Sequence, residues 1–261
     1  MIALSVIVPA YNEAFRILPT LQSICASLDR RGLAYEVLVV DDGSTDKTMS
    51  AVEAVRHHHP AVRVIELPCH MGKGGAVRTG MLEAAGVRRL IADADGAAPF
   101  QELARLEAEL DQGADLAVGS RRLASRNPKF KVVARWHRTL LGNLFNAVVR
   151  RLGVQGITDT QCGFKLLTGA AADDLFSVMR IDGFGFDLEL LYLAQRRGYR
   201  IAEVPIHWCD QPGSKVSVLR DGVLMLGDLL RVRRTYAFGG YHTDSAIPLP
   251  AAPLISPASR K

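Results

Sequence analysis

Strand-like and helix-like segments alternate along the first 120 residues of this 261-residue chain. Short apolar runs rich in β-branched residues predict strands at Ser5–Pro9, Glu36–Val40, Val62–Leu67, Arg89–Ala92 and Leu116–Gly119. Apolar residues at helical spacing predict intervening helices at Glu13–Leu28, Thr48–His59, Gly74–Gly86 and Phe100–Gln112. This rhythm is typical of parallel strands joined by crossover helices. We therefore predict an α/β fold with a mostly parallel sheet and helices on both faces.

The composition is that of a folded domain. Apolar residues make up 48% of the chain and charged residues 23%, which excludes disordered, collagen-like and disulfide-scaffold proteins. No stretch approaches the roughly 18 uninterrupted apolar residues of a membrane-spanning helix. The apolar segment Met1–Val8 lacks the basic region and cleavage site of a signal peptide, so we interpret it as the first strand and expect a cytoplasmic protein.

The positive charge is concentrated in one part of the chain. The net charge is +5, yet Leu116–Thr158 contains no Asp or Glu and nine Lys or Arg residues. A basic band of this kind indicates an anionic partner, which is a phosphate, a nucleic acid or a lipid surface. The alternative interpretation is a solvated basic face without a partner.

Polar motifs follow three of the predicted strands. These motifs are Tyr11-Asn12-Glu13, Asp41-Asp42-Gly43-Ser44 and Asp93-Ala94-Asp95-Gly96. One acidic turn would be unremarkable, because Asp and Gly favour turns. Ligands of open α/β sheets bind beyond the carboxyl ends of the strands, so three such motifs predict a binding site at that edge.

The residue types of these motifs indicate a metal-bound phosphate ligand. Asp93 and Asp95 offer hard oxygen ligands, which suit Mg²⁺ or Mn²⁺ and leave room for substrate phosphates. Asp41 is placed to hold a ribose or a base. The segment Gly72–Gly75 opens a helix and either approaches a phosphate, with Lys73 as a nucleotide-sugar ligand, or forms a tight turn. Neither a GxGxxG nor a P-loop motif is present.

Two later segments have the pattern of amphipathic helices. Val133–Leu152 carries an apolar stripe opposite a basic face, and Val218–Arg234 is basic at its ends. Such helices lie on membrane surfaces or pack on a core with a solvated basic face. Between them, Ile201–Trp208 is predicted to be a strand. The end of the chain is rich in proline. We predict one domain over residues 1–235, with membrane-facing helices around 130–152 and 218–234, and a disordered tail over 236–261.

Five segments together resemble the inverting glycosyltransferases of family 2, and in particular the branch that transfers glucose to dolichyl phosphate. They are Val6–Glu13, Asp41–Asp46, Asp93–Gly96, Asp159–Leu166 and Gly185–Glu189. The resemblance extends over about residues 4–235. It implies a GT-A fold, a nucleotide-sugar donor and a polyprenyl-phosphate acceptor, with inversion at the sugar to give a β-linked product.

The resemblance also implies roles for individual residues. The nucleotide-sugar positions match Pro9, Tyr11, Glu13, Asp41, Asp93 and Asp95. Asp93 and Asp95 match the metal-binding DxD motif, with Asp95 as the more direct ligand of Mg²⁺ or Mn²⁺. The acceptor phosphate is matched by Arg121 and, more loosely, by Arg135 and Lys215. Asp95 and Arg121 are then catalytic.

Asp159 is the candidate general base. The alternative interpretation makes it a helix N-cap or a structural partner of Lys165. A lipid phosphate is already an anion near neutral pH, since its second pKa is about 6, so a base is not required by the chemistry.

One position departs from the pattern of the family. Mannosyl-transferring relatives often carry a metal-binding side chain two residues after the second Asp, where this chain has Ala97. The sequence therefore predicts UDP-glucose as the donor. The alternatives are a polyprenyl-phosphate mannosyltransferase that uses GDP-mannose, and a family-2 enzyme with a glycolipid or polysaccharide acceptor.

The basic band then predicts peripheral attachment to the cytoplasmic face of a membrane. Each Lys or Arg near an anionic surface contributes about 1 kcal/mol. A nucleic-acid binder is the rival interpretation, and it predicts aromatic residues interleaved with the charges. Phe130, Trp136 and Phe145 are the aromatic residues of the band, two of them lie in the apolar stripe, and we expect no nucleic-acid partner.

Overall fold

The computed structural model describes residues 1–133, 145–212 and 218–241. Its strands are β1 Leu4–Ala10, β2 Tyr35–Asp41, β3 Val62–Glu66, β4 Arg88–Ile91, β5 Leu116–Ser120, β6 Val132–Val133, β7 Lys165–Thr168, β8 Ile201–Pro205 and β9 Trp208–Cys209. Its helices are α1 Ile17–Asp29, α2 Thr48–Arg56, α3 Lys73–Glu83, α4 Leu103–Asp111, α5 Arg121–Ala124, α6 at 145–152, α7 Gly169–Val178, α8 Phe186–Arg196 and α9 Val218–Ala237.

Seven strands form the main sheet in the order β3-β2-β1-β4-β7-β5-β8. Every neighbouring pair is parallel except those of β7, which runs antiparallel to both β4 and β5. The predicted, mostly parallel sheet is confirmed. The insertion of β7 brings its first residue, Lys165, opposite Ile91 at the carboxyl end of β4.

Each face of the sheet carries its own apolar core. Alternate residues of a strand point to opposite faces, so Ile7 packs into one core with α3 and α8, and Val6 and Val8 pack into the other with α1 and α4. All three side chains are fully buried. This arrangement confirms the predicted helices on both faces, because one layer could not cover both sides of the central strands.

Most predicted elements begin and end within four residues of the observed ones, and three differ in type or continuity. The helix predicted over Phe100–Gln112 begins as a 3-10 turn, Phe100–Glu102, and continues as α4. The strand predicted over Ile201–Trp208 is divided into β8 and β9. Val133, the predicted start of an amphipathic helix, lies instead in β6 because the β-branched pair 132–133 forms a parallel ladder with β9. Residues 134–144 of that helix lie outside the described residues.

The C-terminal part of the domain extends further than predicted. α9 continues to Ala237, and Tyr241 is buried, with its hydroxyl donating to Glu189 at 2.6 Å. The Glu189 carboxylate also accepts the backbone N–H of Ile181 at 2.8 Å. These contacts anchor residues 236–241 to α8, so the predicted tail cannot begin at residue 236. Residues 242–261 lie outside the described residues.

A buried ion pair joins β7 to α8. The Lys165 side chain is fully buried, and its ammonium donates to Asp187 Oδ1 at 2.5 Å and to the Cys162 carbonyl at 2.5 Å. Burial raises the pKa of Asp187, and the Lys165 ammonium offsets this only in part. Asp187, rather than Asp159, is therefore the partner of Lys165.

No helix within the described ranges is both long enough and apolar enough to cross a bilayer.

The Lys165–Asp187 pair predicts a large stability loss for Asp187→Asn. Removing one partner leaves a buried charge without its counter-ion, which costs about 3–5 kcal/mol. Chemical denaturation is expected to show that loss. Asp111→Asn is the matched control, because it removes a carboxylate from the solvent-exposed pair with Arg88, and pairs of that type contribute about 0–1 kcal/mol. Equal losses in the two variants would contradict the prediction.

Candidate active site

The three polar motifs meet at one edge of the sheet. β1 lies between β2 and β4 and is parallel to both, with Ala10 paired to Asp41. The carboxyl ends of these strands are therefore neighbours, and the Asp42 N–H donates to the Ala10 carbonyl at 2.8 Å. This juxtaposition was predicted from the order of strands and motifs in the sequence.

Tyr11 and Asp42 form part of a cluster at this edge. The Tyr11 ring stacks on His70, with ring centroids 4.1 Å apart. His70 Nδ1 lies 2.8 Å from Asp42 Oδ2. The same carboxylate accepts the N–H groups of Met71 and Gly72 at 2.7 and 2.9 Å. Asp42 thus ties the end of β2 to the glycine-rich loop that starts α3.

Asp41 presents an unsatisfied carboxylate oxygen. It is 5% exposed, and its Oδ2 accepts the Ser44 N–H at 3.1 Å. Its Oδ1 is buried and has no hydrogen-bond partner among the residues that the structure describes. A buried acceptor left unpaired costs about 1–3 kcal/mol, which a ligand N–H or hydroxyl would recover. This observation agrees with the predicted role of Asp41 in holding a ribose or a base.

Pro9 and Glu13 lie on either side of Tyr11. Pro9 is the partly buried penultimate residue of β1. The Glu13 carboxylate accepts two hydrogen bonds from the Arg16 guanidinium, both at 2.6 Å. Arg16 Nη1 in turn lies 4.0 Å from Asp95 Oδ2. Glu13 therefore positions the Arg16 guanidinium beside the DxD motif.

Lys73 reaches the DxD motif from the glycine-rich loop. Its ammonium lies 2.6 Å from Asp93 Oδ1. Gly72 adopts a φ of 103°, and a Cβ on Gly74 would lie 2.3 Å from the Ile181 carbonyl oxygen. Only glycine permits this close packing, which fixes the backbone from which Lys73 extends. Burial would lower the pKa of Lys73, but the surrounding carboxylates, Asp93 first, raise it overall.

Asp93 and Asp95 lie side by side after β4. Asp95 Oδ1 accepts the Ala97 N–H at 3.0 Å. Burial and the nearby charge of Asp93 raise the pKa of Asp95. Asp93 is in close contact with Gly163, where a Cβ would lie 1.9 Å from Asp93 Oδ2. The loop before β7 therefore forms one wall of the acidic pair.

The acidic pair fits a divalent cation. Two neighbouring carboxylates repel each other, and a cation between them would remove that repulsion. Among the residues described, no group of three or more His, Cys, Asp or Glu side chains converges on such an ion. Two hard oxygen ligands suit Mg²⁺ or Mn²⁺, which take their remaining ligands from water and substrate phosphates.

Arg121 and Asp159 form a tightly bonded pair. Arg121 Nε and Nη2 donate to the Asp159 carboxylate at 2.7 and 2.6 Å, and the Arg121 backbone N–H donates at 2.9 Å. Burial alone would raise the pKa of Asp159, but the guanidinium holds it below its usual range. A carboxylate of this kind is a weak base, so the geometry favours a positioning role for Asp159.

A cavity of about 340 Å³ opens beside the acidic pair. Asp93, Asp95 and Gly163 line one part of it, and Phe15 and Trp208 are among the apolar residues that line the rest. The Arg121 guanidinium carbon lies 5.3 Å from the centre of the Trp208 ring. This volume lies at the lower end of the range of about 300–1,000 Å³ that is typical of small-molecule sites.

Comparison with known proteins identifies the family. The profile of glycosyl transferase family 2 matches residues 5–176. The chain belongs to this family. Dolichyl-phosphate β-glucosyltransferases are similar to it over most of its length: that of Drosophila melanogaster is 40% identical, with 93% of this chain and 78% of the relative covered, and that of Homo sapiens is 38% identical, with 92% and 78% covered. The chain is thus a glycosyltransferase.

Solved structures show the same fold. Glucosyl-3-phosphoglycerate synthase of Mycobacterium tuberculosis, in complex with UDP, superposes with a TM-score of 0.68 and 22% identity over 88% of this chain and 79% of that protein. The same enzyme with Mn²⁺, UDP-glucose and phosphoglyceric acid gives 0.66 and 23%, over 88% and 79%. The predicted GT-A fold is confirmed.

Three residues that contact the predicted site residues were not predicted: Arg16, His70 and Gly163. Of the predicted site residues, Arg135 and Lys215 lie outside the described residues. Arg16 has a recognisable signal, because it follows Glu13 at the i, i+3 spacing of a helix. Gly163 and His70 have none, because their contacts with Asp93 and with Tyr11 and Asp42 depend on loops that are distant in sequence.

Gly163→Ala is expected to lower transferase activity about 100-fold, because displacing Asp93 by about 1 Å has effects of that size. The measurement is the steady-state transfer rate, together with thermal unfolding to show that the variant is folded. Gly183→Ala is the matched control, since a Cβ there meets no atom within 4 Å. A fully active Gly163→Ala variant would show that Asp93 does not need its observed position.

Proposed function

We propose that this enzyme transfers glucose from UDP-glucose to a dolichyl or related polyprenyl phosphate, with inversion at the anomeric carbon. The relatives named dolichyl-phosphate β-glucosyltransferase, which are similar over more than nine tenths of the chain, carry this proposal. The geometry agrees with it, because the acidic pair lines one cavity at the carboxyl edge of the sheet and the fixed Arg121 lies over Trp208, which also lines that cavity.

The donor is proposed from two observations. The M. tuberculosis neighbour has been solved with UDP-glucose and Mn²⁺. In this chain the side chain two residues after Asp95 is Ala97, which is buried and cannot bind a metal. We therefore favour UDP-glucose over GDP-mannose, with the unpaired Oδ1 of Asp41 as an acceptor for the nucleoside.

The residues at this edge of the sheet have separate roles in the transfer of a sugar from a nucleoside diphosphate. Asp93 and Asp95 would hold Mg²⁺ or Mn²⁺, which supplies positive charge to the leaving diphosphate. Arg121 stays charged, because the Asp159 carboxylate outweighs the burial that would lower the pKa of its guanidinium. Asp93 lies near enough to contribute to that upward shift. Arg121 is accordingly placed to bind a phosphate next to the acidic pair.

The acceptor needs little chemical activation. A phosphate monoester is an anion near neutral pH, and it attacks the sugar from the face opposite the diphosphate, which gives the β-linked product. Asp159 then acts by orienting Arg121 rather than by taking a proton. Positioning and fixed charges supply most of the acceleration under this proposal.

A donor screen tests the proposal. Protein is incubated with a short polyprenyl phosphate and labelled UDP-glucose, GDP-mannose or UDP-galactose, and label is counted in the organic phase. We expect label from UDP-glucose alone, its loss on chelation of divalent cations, and its return with Mn²⁺ or Mg²⁺. Asp95→Ala is expected to lower the rate at least about 100-fold, since fixed charges of this type contribute that much.

Asp111→Ala is the control, because it removes an exposed carboxylate from α4. Label from GDP-mannose would overturn the donor assignment. Release of nucleotide without organic-phase label would move the acceptor to a glycolipid or polysaccharide. Full activity after chelation would overturn the metal assignment.

We further propose that the outward face of α9 contacts an anionic membrane. Within residues 220–238, the exposed residues are Arg220, Val223, Leu224, Gly227, Leu230, Arg231, Arg234, Ala237 and Phe238. They recur at intervals of three and four, which places them on one side of the helix. The opposite side packs Met225, Leu229 and Val232 into the core.

The charges of α9 are separated in the same way. Its two acidic residues, Asp221 and Asp228, are only partly exposed, whereas three arginines lie on the outward face. That face is thus apolar and basic, which is the pattern of helices that lie in a lipid interface. It supports the peripheral, membrane-surface location on the cytoplasmic side that the sequence predicts.

Vesicle flotation tests this contact. The protein is expected to float with vesicles that contain phosphatidylglycerol more than with pure phosphatidylcholine. Leu224→Glu and Leu230→Glu should each weaken flotation about tenfold or more, because burying a leucine contributes about 1.5–3 kcal/mol.

The control is Leu82→Glu, which places the same charge at an exposed leucine of α3. Equal effects of the three variants, or flotation that does not depend on lipid charge, would contradict the proposed contact. Transfer to a short soluble acceptor should be unchanged in all three.

A further inference from the structure

The Lys73 ammonium contacts Asp93, one of the two carboxylates that would hold a divalent cation. The ammonium lies 2.6 Å from Asp93 Oδ1, and the other oxygen of that carboxylate faces Gly163. An ammonium and a divalent cation on the same carboxylate repel each other, because two positive charges would lie within a few ångströms of each other. Lys73 and the cation therefore compete for Asp93.

Among the described residues, no other positively charged side chain near the acidic pair could fully replace the charge of Lys73. Arg16 is 4.0 Å from Asp95 and already donates to both oxygens of Glu13 and to the Pro212 carbonyl. Lys165 is fully buried against Asp187. Without Lys73, the acidic pair would keep most of its mutual repulsion.

Lys73 also has a fixed origin and room to move. Gly72 and Gly74 pack against the backbone of residues 181–182, so the main chain of the loop is held in place. The Lys73 side chain is 22% exposed and the Asp93 side chain 33%. Its ammonium lies 5.9 Å from the centre of the Phe186 ring. A long, flexible side chain on a rigid base can turn from Asp93 to the diphosphate of a donor bound at the same edge of the sheet.

We propose that Lys73 is an exchangeable counter-ion of the DxD motif. In the free enzyme it neutralises Asp93. When the divalent cation binds to the acidic pair, Lys73 leaves Asp93 and binds the diphosphate of the donor. This inference rests on the proposed cation site. It has two consequences: Lys73 weakens the binding of the divalent cation to the free enzyme, and it couples the binding of that cation to the binding of the nucleotide.

The inference predicts a tighter cation site when the charge of Lys73 is removed. Lys73→Met keeps the length of the side chain and removes its competitor charge. Mn²⁺ binding to the nucleotide-free protein is measured by electron paramagnetic resonance. We expect the Kd for Mn²⁺ to fall about tenfold or more in Lys73→Met, while kcat for transfer falls because the diphosphate loses its cation.

The coupling between Mn²⁺ and UDP gives a second readout. Two ligands that bind cooperatively raise each other's affinity by the same factor. The ratio of the Mn²⁺ Kd values without and with UDP therefore measures how strongly the two ligands are coupled. That ratio should be large in the wild type and several-fold smaller in Lys73→Met. Lys73→Arg retains the charge, and its Mn²⁺ affinity should stay close to that of the wild type.

Two controls separate the outcomes. Lys129→Met removes the same charge from an exposed residue, and it should leave the Mn²⁺ Kd unchanged. Asp95→Ala should abolish Mn²⁺ binding in both backgrounds. If Lys73 only held Asp93 in place, Lys73→Met would weaken Mn²⁺ binding or leave it unchanged, and either result overturns the inference.

The experiment also distinguishes this inference from the proposed function, because it needs neither a sugar nor a lipid. A tighter Mn²⁺ site in Lys73→Met would support the counter-ion role even if the donor were GDP-mannose. Mn²⁺ binding that survives Asp95→Ala would overturn the cation site and the inference together.

Discussion

The repulsion between Asp93 and Asp95 governs the arrangement of charge around the site. Two carboxylates on alternate residues after β4 need positive charge nearby, and the chain supplies it from several directions. Lys73 is the first residue of α3, and Arg16 is the residue before α1. Behind them, Lys165 and Asp187 form a second pair that is fully enclosed. The site thus contains one enclosed ion pair, Lys165 with Asp187, and one at the open edge of the sheet, Lys73 with Asp93.

The first half of the fold, from β1 to β5, could be predicted from the sequence because its signals are local. β1 to β5 are short apolar runs, each followed by a polar motif or a helix, and a parallel sheet with crossover helices is the architecture that buries them on both faces. The rule that ligands bind beyond the carboxyl ends then placed Tyr11, Asp41 and Asp95 together. The structure brings their strands into direct contact.

The second half carried weaker signals. β7 is four residues long and antiparallel, and nothing in the run Lys165–Thr168 indicates which neighbour it joins or in which direction. Lys165 pairs with Asp187 rather than with the expected alternative, Asp159, because ion pairs depend on proximity in three dimensions and not on separation in sequence. β6 and β9 consist of two residues each, which is too short for a periodic pattern.

The direction of β7 determines which segments of the chain build the two sides of the site. Because β7 runs opposite to β4, the loop that precedes it arrives at the same edge as the loops that follow the parallel strands. Asp159, which holds Arg121, and Gly163, which abuts Asp93, both belong to that incoming loop. The side of the site that carries Tyr11, Asp41 and Asp95 is thus built from segments that leave the sheet, and the side that carries Asp159 and Gly163 from a segment that enters it. Changes in length or sequence within residues 153–162 can reshape one side while the strands that carry the other keep their register.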